Sequence, residues 1–452
     1  MDLQSYFNNS TPNQSDSAFF DDIATQPTTE TPISPTLDEN DSVKDNVRDF
    51  WETPVVEAGV PPILTTPGIM SSEDLVDNIK SIVSVHLGDS ELSLRRILGP
   101  DDVTQDERGL RNLISSGCFH SAVNLTKRLL TIYGQGYGRS GQPAKHSPHS
   151  LQLWFTRLTL LARLGLYEDL QSEIEAFGTL DRADIFYEFY PEMYGDRKGS
   201  MACFMFRLFL CETHTYNGNY LKALNRLTEL KTQCDNIIQY FTSQSNKNAV
   251  DFWIRRRNRV LYSIINCGIL MKDYTLINDI IQVLVTGTDL AKEEKRALFS
   301  AWGRIYLQIG DIFGAEQHFA EARRLRNVNS TPDLRDLVDK GLISVAKNDF
   351  QEAYSLFQKA LHFDNGNTMI LNNMGVCLLY GGKLKDAINL YERAIEINPQ
   401  KALNESLLIN LSTLYELESS KAKNKKLSLL RLVNKHKPDL HRPEFCLKLQ
   451  AV

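Results

Sequence analysis

The sequence predicts an all-α protein in which helical hairpins stack side by side behind a disordered acidic N-terminal tail. Three observations support this fold class. Apolar residues follow helical spacing from Leu75 onward, with no sustained strand-like alternation. A pattern of small and aromatic residues recurs every 34 positions towards the C-terminus. Residues 1–50 hold ten acidic and two basic side chains, a net charge of −8, whereas the whole 452-residue chain carries −6.

Residues 1–72 form the predicted tail. They are rich in Ser, Thr, Pro and Asp, and they have too few apolar residues to offset the entropy lost on ordering. One motif in this tail, Ser-Ala-Phe-Phe-Asp-Asp at 17–22, combines two aromatic residues with acidic neighbours. Phe19 and Phe20 are typical of a short linear motif that inserts into a groove on a partner. A chance apolar pair is an equally good interpretation.

Residues 73–292 are predicted to hold degenerate repeats with insertions. The first helical face joins Leu75, Ile79, Ile82 and Val83. Four weaker helix–turn–helix units follow, and their turns are marked by residues 117–119, 165–167, 218–220 and 271–274. The aromatic stretch IFYEFYPEMY at 185–194 interrupts the spacing of these repeats. It is predicted to be either a docking surface or a packed internal cap.

Residues 293–400 are predicted to hold three well-matched repeats. The third copy repeats the second at an offset of 34, and the first copy has the same internal spacings of 12, 4 and 3. The matched positions are Gly303, Ala315, Phe319 and Ala322; Gly341, Ala353, Phe357 and Ala360; and Gly375, Ala387, Tyr391 and Ala394. Small residues at these places in a 34-residue helical hairpin are typical of tetratricopeptide repeats.

This pattern also predicts how the repeats pack. The glycine and the first alanine are expected where the two helices of a hairpin approach most closely, and the aromatic residues are expected to fill the space between neighbouring units. About seven units would form a tetratricopeptide-repeat superhelical solenoid. Residues 401–452 are then expected to form a C-terminal helical cap and tail.

Two glycine-rich stretches imitate phosphate-binding loops. In the first, Gly381-Gly382-Lys383, Cys377 replaces the first glycine of the P-loop motif and Leu384 replaces its hydroxyl residue. Gly382 instead aligns with the turns of the other two strong repeats. The second stretch, GQGYGRSG at 134–141, follows a predicted helix where a dinucleotide-binding loop would follow a strand. A turn and a long interhelical connection are the favoured interpretations.

No catalytic, metal or cofactor site is predicted. His146 and His149 lie in the loop after residue 141, without carboxylate or thiol ligands nearby in sequence. No Ser, Cys or Lys has a local signature of an activated nucleophile, although a triad assembled from distant residues remains open. The seven cysteines are scattered and odd in number, which favours reduced thiols. The chain is therefore predicted not to be an enzyme, with no cofactors.

Charge gives no reason to expect nucleic acid, because the residues after position 50 sum to only +2. Two basic stretches remain, at 255–259 and 421–442. A solvated helix face is the favoured interpretation of the first. For the second, contact with an anionic membrane or an acidic partner is about as well supported as a solvated face.

The first helices of tetratricopeptide repeats line a concave groove, and spacing assigns seven residues to it. These are Ser300, Arg304, Val338, Leu342, Asn372, Val376 and Leu379. Because the middle unit contributes only apolar side chains, the groove is predicted to take an apolar helix and not a terminal carboxylate. That helix would come from a partner or from this chain's own C-terminus.

Several blocks in order resemble a known family. Eight blocks are similar, in this order, to subunit twelve of the TRAPP vesicle-tethering complex. They are GQGYGRSG, SLQLWFTRL, YPEMYGDRKGSM, NCGILMKDY, GRIYLQIGDI, VCLLYGGKLKDAI, LYELESS and CLKL. The resemblance extends from about residue 108 to 449, and SAFFDDIAT is similar to that family's tail, which is much longer in vertebrate members.

The resemblance implies a non-catalytic accessory scaffold in endoplasmic reticulum-to-Golgi transport and autophagy. The implied partners are other TRAPP subunits, both the large accessory and the small core subunits, with a Rab GTPase contacted only indirectly. The implied location is the cytoplasm, peripherally at membranes of the Golgi and of the endoplasmic reticulum–Golgi intermediate compartment. The alternative from a different class is a free-standing tetratricopeptide adaptor or co-chaperone that binds peptide tails.

Overall fold

The computed structural model describes residues 41–54, 61–287, 290–326, 333–419 and 421–449. All regular secondary structure in these ranges is helical, with isolated bridges at Ile69–Tyr137 and Phe186–Ser200. The α-helices are α1 Asp41–Arg48, α2 Asn78–Leu87, α3 Asp89–Leu92, α4 Glu107–Ser115, α5 Phe119–Ile132, α6 Pro148–Leu164, α7 Tyr167–Ile174, α8 Pro191–Tyr194, α9 Phe204–Tyr216, α10 Tyr220–Ser243, α11 Lys247–Met271, α12 Tyr274–Thr286, α13 Lys292–Ile309, α14 Ile312–Arg324, α15 Leu334–Ala346, α16 Phe350–Leu361, α17 Thr368–Tyr380, α18 Leu384–Ile397, α19 Pro399–Ala402, α20 Glu405–Glu418, α21 Ala422–His436 and α22 Pro443–Cys446. Short 3₁₀ turns cover Ala183–Ile185 and Tyr187–Phe189. No helix in these ranges has both the length and the hydropathy that a membrane crossing requires.

The described chain divides into two compact units. Unit 1 contains residues 77–97 and the chain from 281 onward, and unit 2 contains the described residues up to 76 together with 98–280. The boundary at 280 and 281 falls inside α12. These units differ from the sequence-based division at residue 292 in two ways. The boundary lies inside α12, and the segment 77–97 belongs to the unit that holds the C-terminus.

The turns of the helical hairpins share one backbone conformation. Seven hairpins, α4–α5, α6–α7, α9–α10, α11–α12, α13–α14, α15–α16 and α17–α18, each turn at a residue with positive φ. These residues are Gly117, Gly165, Gly218, Lys272, Gly310, Asn348 and Gly382, with φ between 59° and 87°. The left-handed region favours glycine and tolerates asparagine, which explains the turn residues of the three strong repeats. The all-α repeat fold and the assignment of Gly382 to a turn are confirmed.

Each matched glycine makes room for the aromatic ring of its own hairpin. A Cβ atom added to Gly303 would lie 2.5 Å from the Phe319 ring, and one added to Gly341 would lie 2.6 Å from the Phe357 ring. Phe357 also joins a core cluster with Met374 of the next unit. The predicted close approach at the glycine is therefore confirmed. The aromatic rings contact the glycine of their own hairpin as well as residues of the next unit.

Unit 1 is closed at its C-terminal end by residues from the start of the helical region. Ile79, Ile82 and Val83 of α2 are buried in one cluster with residues of α20, α21 and α22. Arg95, whose side chain is 3% exposed, donates to both Asp77 carboxylate oxygens. Arg95 also donates to the backbone carbonyls of residues 434, 437 and 438 at the end of α21. Sequence reasoning missed this packing because it joins residues about 340 positions apart.

Part of the predicted tail packs within unit 2. Trp51, Thr65 and Ile69 are buried, and the Arg207 guanidinium lies 4.1 Å from the centroid of the Trp51 ring. The predicted disordered segment 1–72 therefore includes residues with fixed contacts from 45 to 54 and from 61 to 72. Residues 1–40, including Phe19 and Phe20, lie outside the described residues.

The glycine-rich loop 134–141 connects α5 to α6 and binds the chain's own segment 66–69. The backbone N–H of Ile69 donates to the carbonyl of Gly136 at 3.4 Å, and that of Gly141 donates to Thr66 at 3.2 Å. A Cβ atom on Gly68 would lie 2.1 Å from the Ser140 nitrogen. The loop is thus an interhelical connection, as predicted, and Gly68 of the facing segment allows the two backbone segments to pass closely.

Candidate partner-binding surfaces

The predicted groove residues lie on α13, α15 and α17 of unit 1. Ser300, Val338 and Val376 are 1%, 2% and 5% exposed. The other predicted residues, Arg304, Leu342, Asn372 and Leu379, are half-buried. This face is therefore largely filled by contacts within unit 1, and its binding of a partner stays a prediction.

Ser300 and Arg304 are held by a buried carboxylate on the next first helix. The Ser300 hydroxyl donates to Asp339 Oδ2 at 2.7 Å, and Arg304 Nε and Nη2 donate to Asp339 Oδ1 at 3.1 and 2.9 Å. Asp339 itself is 3% exposed. Because a buried carboxylate requires compensating donors, these three side chains form a fixed link between α13 and α15. Arg304 already has an anionic partner, which counts against its use as a ligand for a peptide carboxylate.

Asn372 has a similar structural role between α17 and α20. Its side-chain oxygen accepts from Asn410 Nδ2 at 2.8 Å, and its backbone carbonyl accepts from the Tyr391 hydroxyl at 2.9 Å. Burial raises the pKa of Tyr391, so that this hydroxyl stays protonated and acts as the donor. Sequence spacing placed Asn372 on the correct helix but could not show that its polar atoms are used internally.

The second helices of unit 1 leave an open groove between them. A cavity of about 980 Å³ lies between α16 and α18, with residues of α17 in its lining. Its apolar lining includes Tyr354, Leu361, Leu371, Leu378, Leu390 and Ile397. Sequence reasoning missed this surface because it considered only the first helices, and the partial exposure of these leucines is visible only in the structure.

The basic stretch 421–442 is partly neutralised within unit 1. Lys425 lies 2.6 Å from Glu418, Lys426 pairs with Glu416, and Arg431 Nε lies 3.0 Å from Glu91. At least three of its eight Lys and Arg residues therefore serve internal ion pairs, which reduces the field available to an anionic membrane. Lys421, Lys423 and Lys435 are exposed.

The other basic stretch is not simply a solvated helix face. The Arg256 guanidinium lies 4.4 Å from the Phe252 ring, 4.5 Å from the Trp253 ring and 4.9 Å from the Phe204 ring. It also donates to the carbonyl of Arg48 at 2.7 Å. Burial lowers its pKa to about 10, which leaves it charged at neutral pH. Arg256 thus anchors residues near α1 to unit 2, a role that the solvated interpretation did not include.

The aromatic insertion 185–194 is buried in its first three residues and more exposed in the rest. Ile185, Phe186 and Tyr187 are buried, and the backbone N–H of Tyr187 donates to the carbonyl of Gly199 at 3.0 Å. Phe189 and Met193 are exposed. Of the two interpretations drawn from the sequence, the packed internal element describes residues 185–187. Residues 188–194 are half-buried or exposed, and docking through them stays a prediction.

A buried Thr–His–Asp cluster resembles a catalytic triad in composition but not in arrangement. Thr65 Oγ1 lies 2.5 Å from both His146 Nε2 and Asp184 Oδ2, and the two ionisable groups are 3.7 Å apart. In a triad the acid would bind the other imidazole nitrogen. Burial lowers the pKa of His146 to about 4, so that the ring is neutral near pH 7. All three side chains are at most 1% exposed, which leaves no path for a substrate.

Both loop histidines have carboxylate neighbours in three dimensions, although none is nearby in sequence. His146 lies beside Asp184, and His149 Nδ1 is 2.7 Å from Glu107. Sequence distance hid both contacts. In the described ranges, no three His, Cys, Asp or Glu side chains come together in a group that could hold a metal ion.

Comparison with known proteins identifies similar sequences. A tetratricopeptide repeat model matches residues 369–401. Trafficking protein particle complex subunit 12 of Mus musculus is 39% identical over 401 residues, which cover 85% of this chain and 50% of the mouse protein. The Homo sapiens protein of the same name is 38% identical, with 85% and 54% covered. The chain thus spans about half the length of these curated relatives, and the resemblance drawn from the sequence is confirmed.

Solved structures offer only distant similarity. The APC/C hetero-tetramer Cut9–Hcn1 aligns over 80% of this chain and 59% of that chain, with 13% identity and a TM-score of 0.34. Yeast Tom70 aligns over 80% of this chain and 70% of that chain, with 14% identity and a TM-score of 0.31.

Proposed function

Because this chain is homologous to subunit 12 of the trafficking protein particle complex and is built of tetratricopeptide repeats, we propose that it is a non-catalytic scaffold subunit of that vesicle-tethering complex. The observation that carries the proposal is 39% identity over 401 residues, which include both units. Its roles would be in endoplasmic reticulum-to-Golgi transport and in autophagy. It would act in the cytoplasm, peripherally at Golgi and intermediate-compartment membranes.

The geometry supports a scaffold through the way that the repeats are joined. Polar links such as Ser300 and Arg304 to Asp339, and Asn372 to Asn410, fix successive first helices to one another. A rigid array of this kind positions partners without large ordering costs. The partners would be the large accessory and small core subunits of the complex, with the Rab GTPase contacted only through them.

The predicted groove residues keep a place in this proposal in modified form. Val338 and Val376 would support the surface from below, because they are buried. Direct contact would fall to the half-buried side chains of Leu342, Asn372 and Leu379. The exposed apolar side chains on second helices, such as Phe313 at 71% and Ile397 at 79%, offer further contact area.

The test is isolation of the endogenous complex from the native cell through a tag on the full chain. We expect the core subunits of the tethering complex to co-purify in constant proportion through size exclusion, and crosslinking mass spectrometry to join them to α13–α18. A matched purification of an unrelated tetratricopeptide protein controls for non-specific capture. Recovery of the chain free of every core subunit would overturn the proposal.

The adaptor alternative has its own test in the same preparation. A labelled peptide with an acidic C-terminal tail is titrated against the full chain and against Arg304→Ala. Micromolar binding that disappears in Arg304→Ala would favour the adaptor. We expect no such binding, because Arg304 is already paired with Asp339.

A further inference from the structure

The groove between α16 and α18 has the form of a binding site for a short segment. Its lining includes residues along the whole of α18, and the 10-residue step from Lys383, just before that helix, to Arg393 spans about 15 Å at helical rise. The side chains of Leu361, Leu371, Leu378 and Leu390 are only partly covered by their neighbours. Ile397 is 79% exposed although it lines the same cavity. An apolar surface of this extent is stabilised when a ligand covers it.

The rim of the groove selects the charge of the ligand. Lys383, Arg393 and Lys401 line the cavity and are exposed, and Asp386 is the one acidic residue among the lining side chains. None of the three basic side chains is ion-paired within the described part of the chain. Unpaired cations around an apolar floor favour a ligand that carries both apolar side chains and carboxylates.

We propose that this groove binds the chain's own segment 16–22, Asp-Ser-Ala-Phe-Phe-Asp-Asp. This segment has two adjacent phenylalanines and three carboxylates, and it lies outside the described residues. Asp16 and Asp21 are five residues apart, or about 17 Å in an extended chain, which is close to the spacing of Lys383 and Arg393. Phe19 and Phe20 supply the apolar area, and the aspartates face the basic rim. This inference does not depend on membership of a complex.

The experiment uses the full chain in two forms. One form is wild type. The other is a double variant in which Phe19→Ser and Phe20→Ser remove the apolar side chains of segment 16–22. A fluorescent peptide of residues 13–26 is titrated into each by anisotropy. We expect saturable binding to the double variant and binding at least about tenfold weaker to wild type, because the wild-type segment competes at a high effective concentration. A peptide with both phenylalanines changed to serine should not bind.

Groove variants of the double-variant chain locate the site. Arg393→Glu reverses one rim charge and Ile397→Asp changes an exposed apolar position, and each should weaken peptide binding by about tenfold. Phe313→Asp, an equally exposed apolar position on α14, is the matched control and should leave binding unchanged. Amide hydrogen exchange in α16–α18 should be slower in the peptide complex than in the free double variant. This measurement does not depend on whether the groove variants fold.

Four results would overturn the proposal. They are absence of saturable binding, equal affinity of wild type and double variant, equal affinity of Arg393→Glu and Phe313→Asp, and protection from exchange that lies outside α16–α18. The last of these would assign the peptide to another surface. Complex isolation can fail while peptide binding succeeds, so this test is separate from that of the proposed function.

Discussion

Replacing Arg95 tests how unit 1 is closed. All five N–H groups of this guanidinium have acceptors: both oxygens of Asp77 and the carbonyls of Asn434, Lys437 and Pro438. Arg95→Ala leaves the Asp77 carboxylate and the C-terminal carbonyls of α21 without their cation. The pair is buried, since the side chains of Arg95 and Asp77 are 3% and 11% exposed. Breaking a buried ion pair by removing one partner costs about 3–5 kcal/mol. We expect a loss of this size in the opening free energy of segment 77–97.

The assay is native-state hydrogen exchange on the full chain, which reports local opening free energies at the amides of α2 and α21. Arg431→Ala is the matched control, because Arg431 joins α21 to Glu91 in a pair whose arginine side chain is 51% exposed. Such a surface pair contributes about 0–1 kcal/mol. If both variants lower the opening free energy of α2 by the same amount, the reasoning from burial is refuted.

Three further predictions concern packing, pH and the link between first helices. Gly341→Ala should lower the free energy of unfolding by about 1–3 kcal/mol, since the new methyl group would meet the Phe357 ring. Adding Phe357→Leu should restore part of the lost stability. A stabilised single variant would contradict the packing argument. Burial holds the folded-state pKa of His146 near 4, below an unfolded value of about 6.5, so its contribution to stability is complete above pH 6.5 and is lost as pH falls towards 4. That loss is about 2 kcal/mol between pH 7 and pH 5 in urea unfolding, and His146→Gln should remove this part of the slope; an unchanged slope would show that another group titrates. Asp339→Ala should cost about 3 kcal/mol in thermal or urea unfolding, against about 1 kcal/mol for Ser300→Ala, and equal losses would mean that the buried charge is unimportant.

Local patterns in the sequence predicted the hairpins well, because the relevant contacts join residues close together in the chain. The pair Gly341 and Phe357 is separated by 16 positions, and its small-and-large pairing is visible in the repeat itself. Alignment with the other strong repeats predicts the turn at Gly382, since the left-handed conformation restricts which residues can occupy that position. These features follow from backbone sterics and helix periodicity.

The candidate surfaces were harder to predict, because exposure depends on neighbours that are distant in sequence. Val338 has the spacing of a groove residue, but it is 2% exposed once the adjacent repeats pack. The role of Arg304 was likewise decided by Asp339, 35 positions away, which spacing on one helix does not reveal. The open groove at Leu390 and Ile397 lies instead between second helices.

The sequence by itself determined the all-α class, the repeat length and the turn positions, since each depends on local sterics and on a period that is written in the residues. Only the tertiary structure decided which buried charges are paired and which segments close the units. Arg95 with the end of α21, and Thr65 with His146 and Asp184, join residues that no local pattern connects. The physical reason is that a buried polar group must find its partner in three dimensions, wherever in the chain that partner lies.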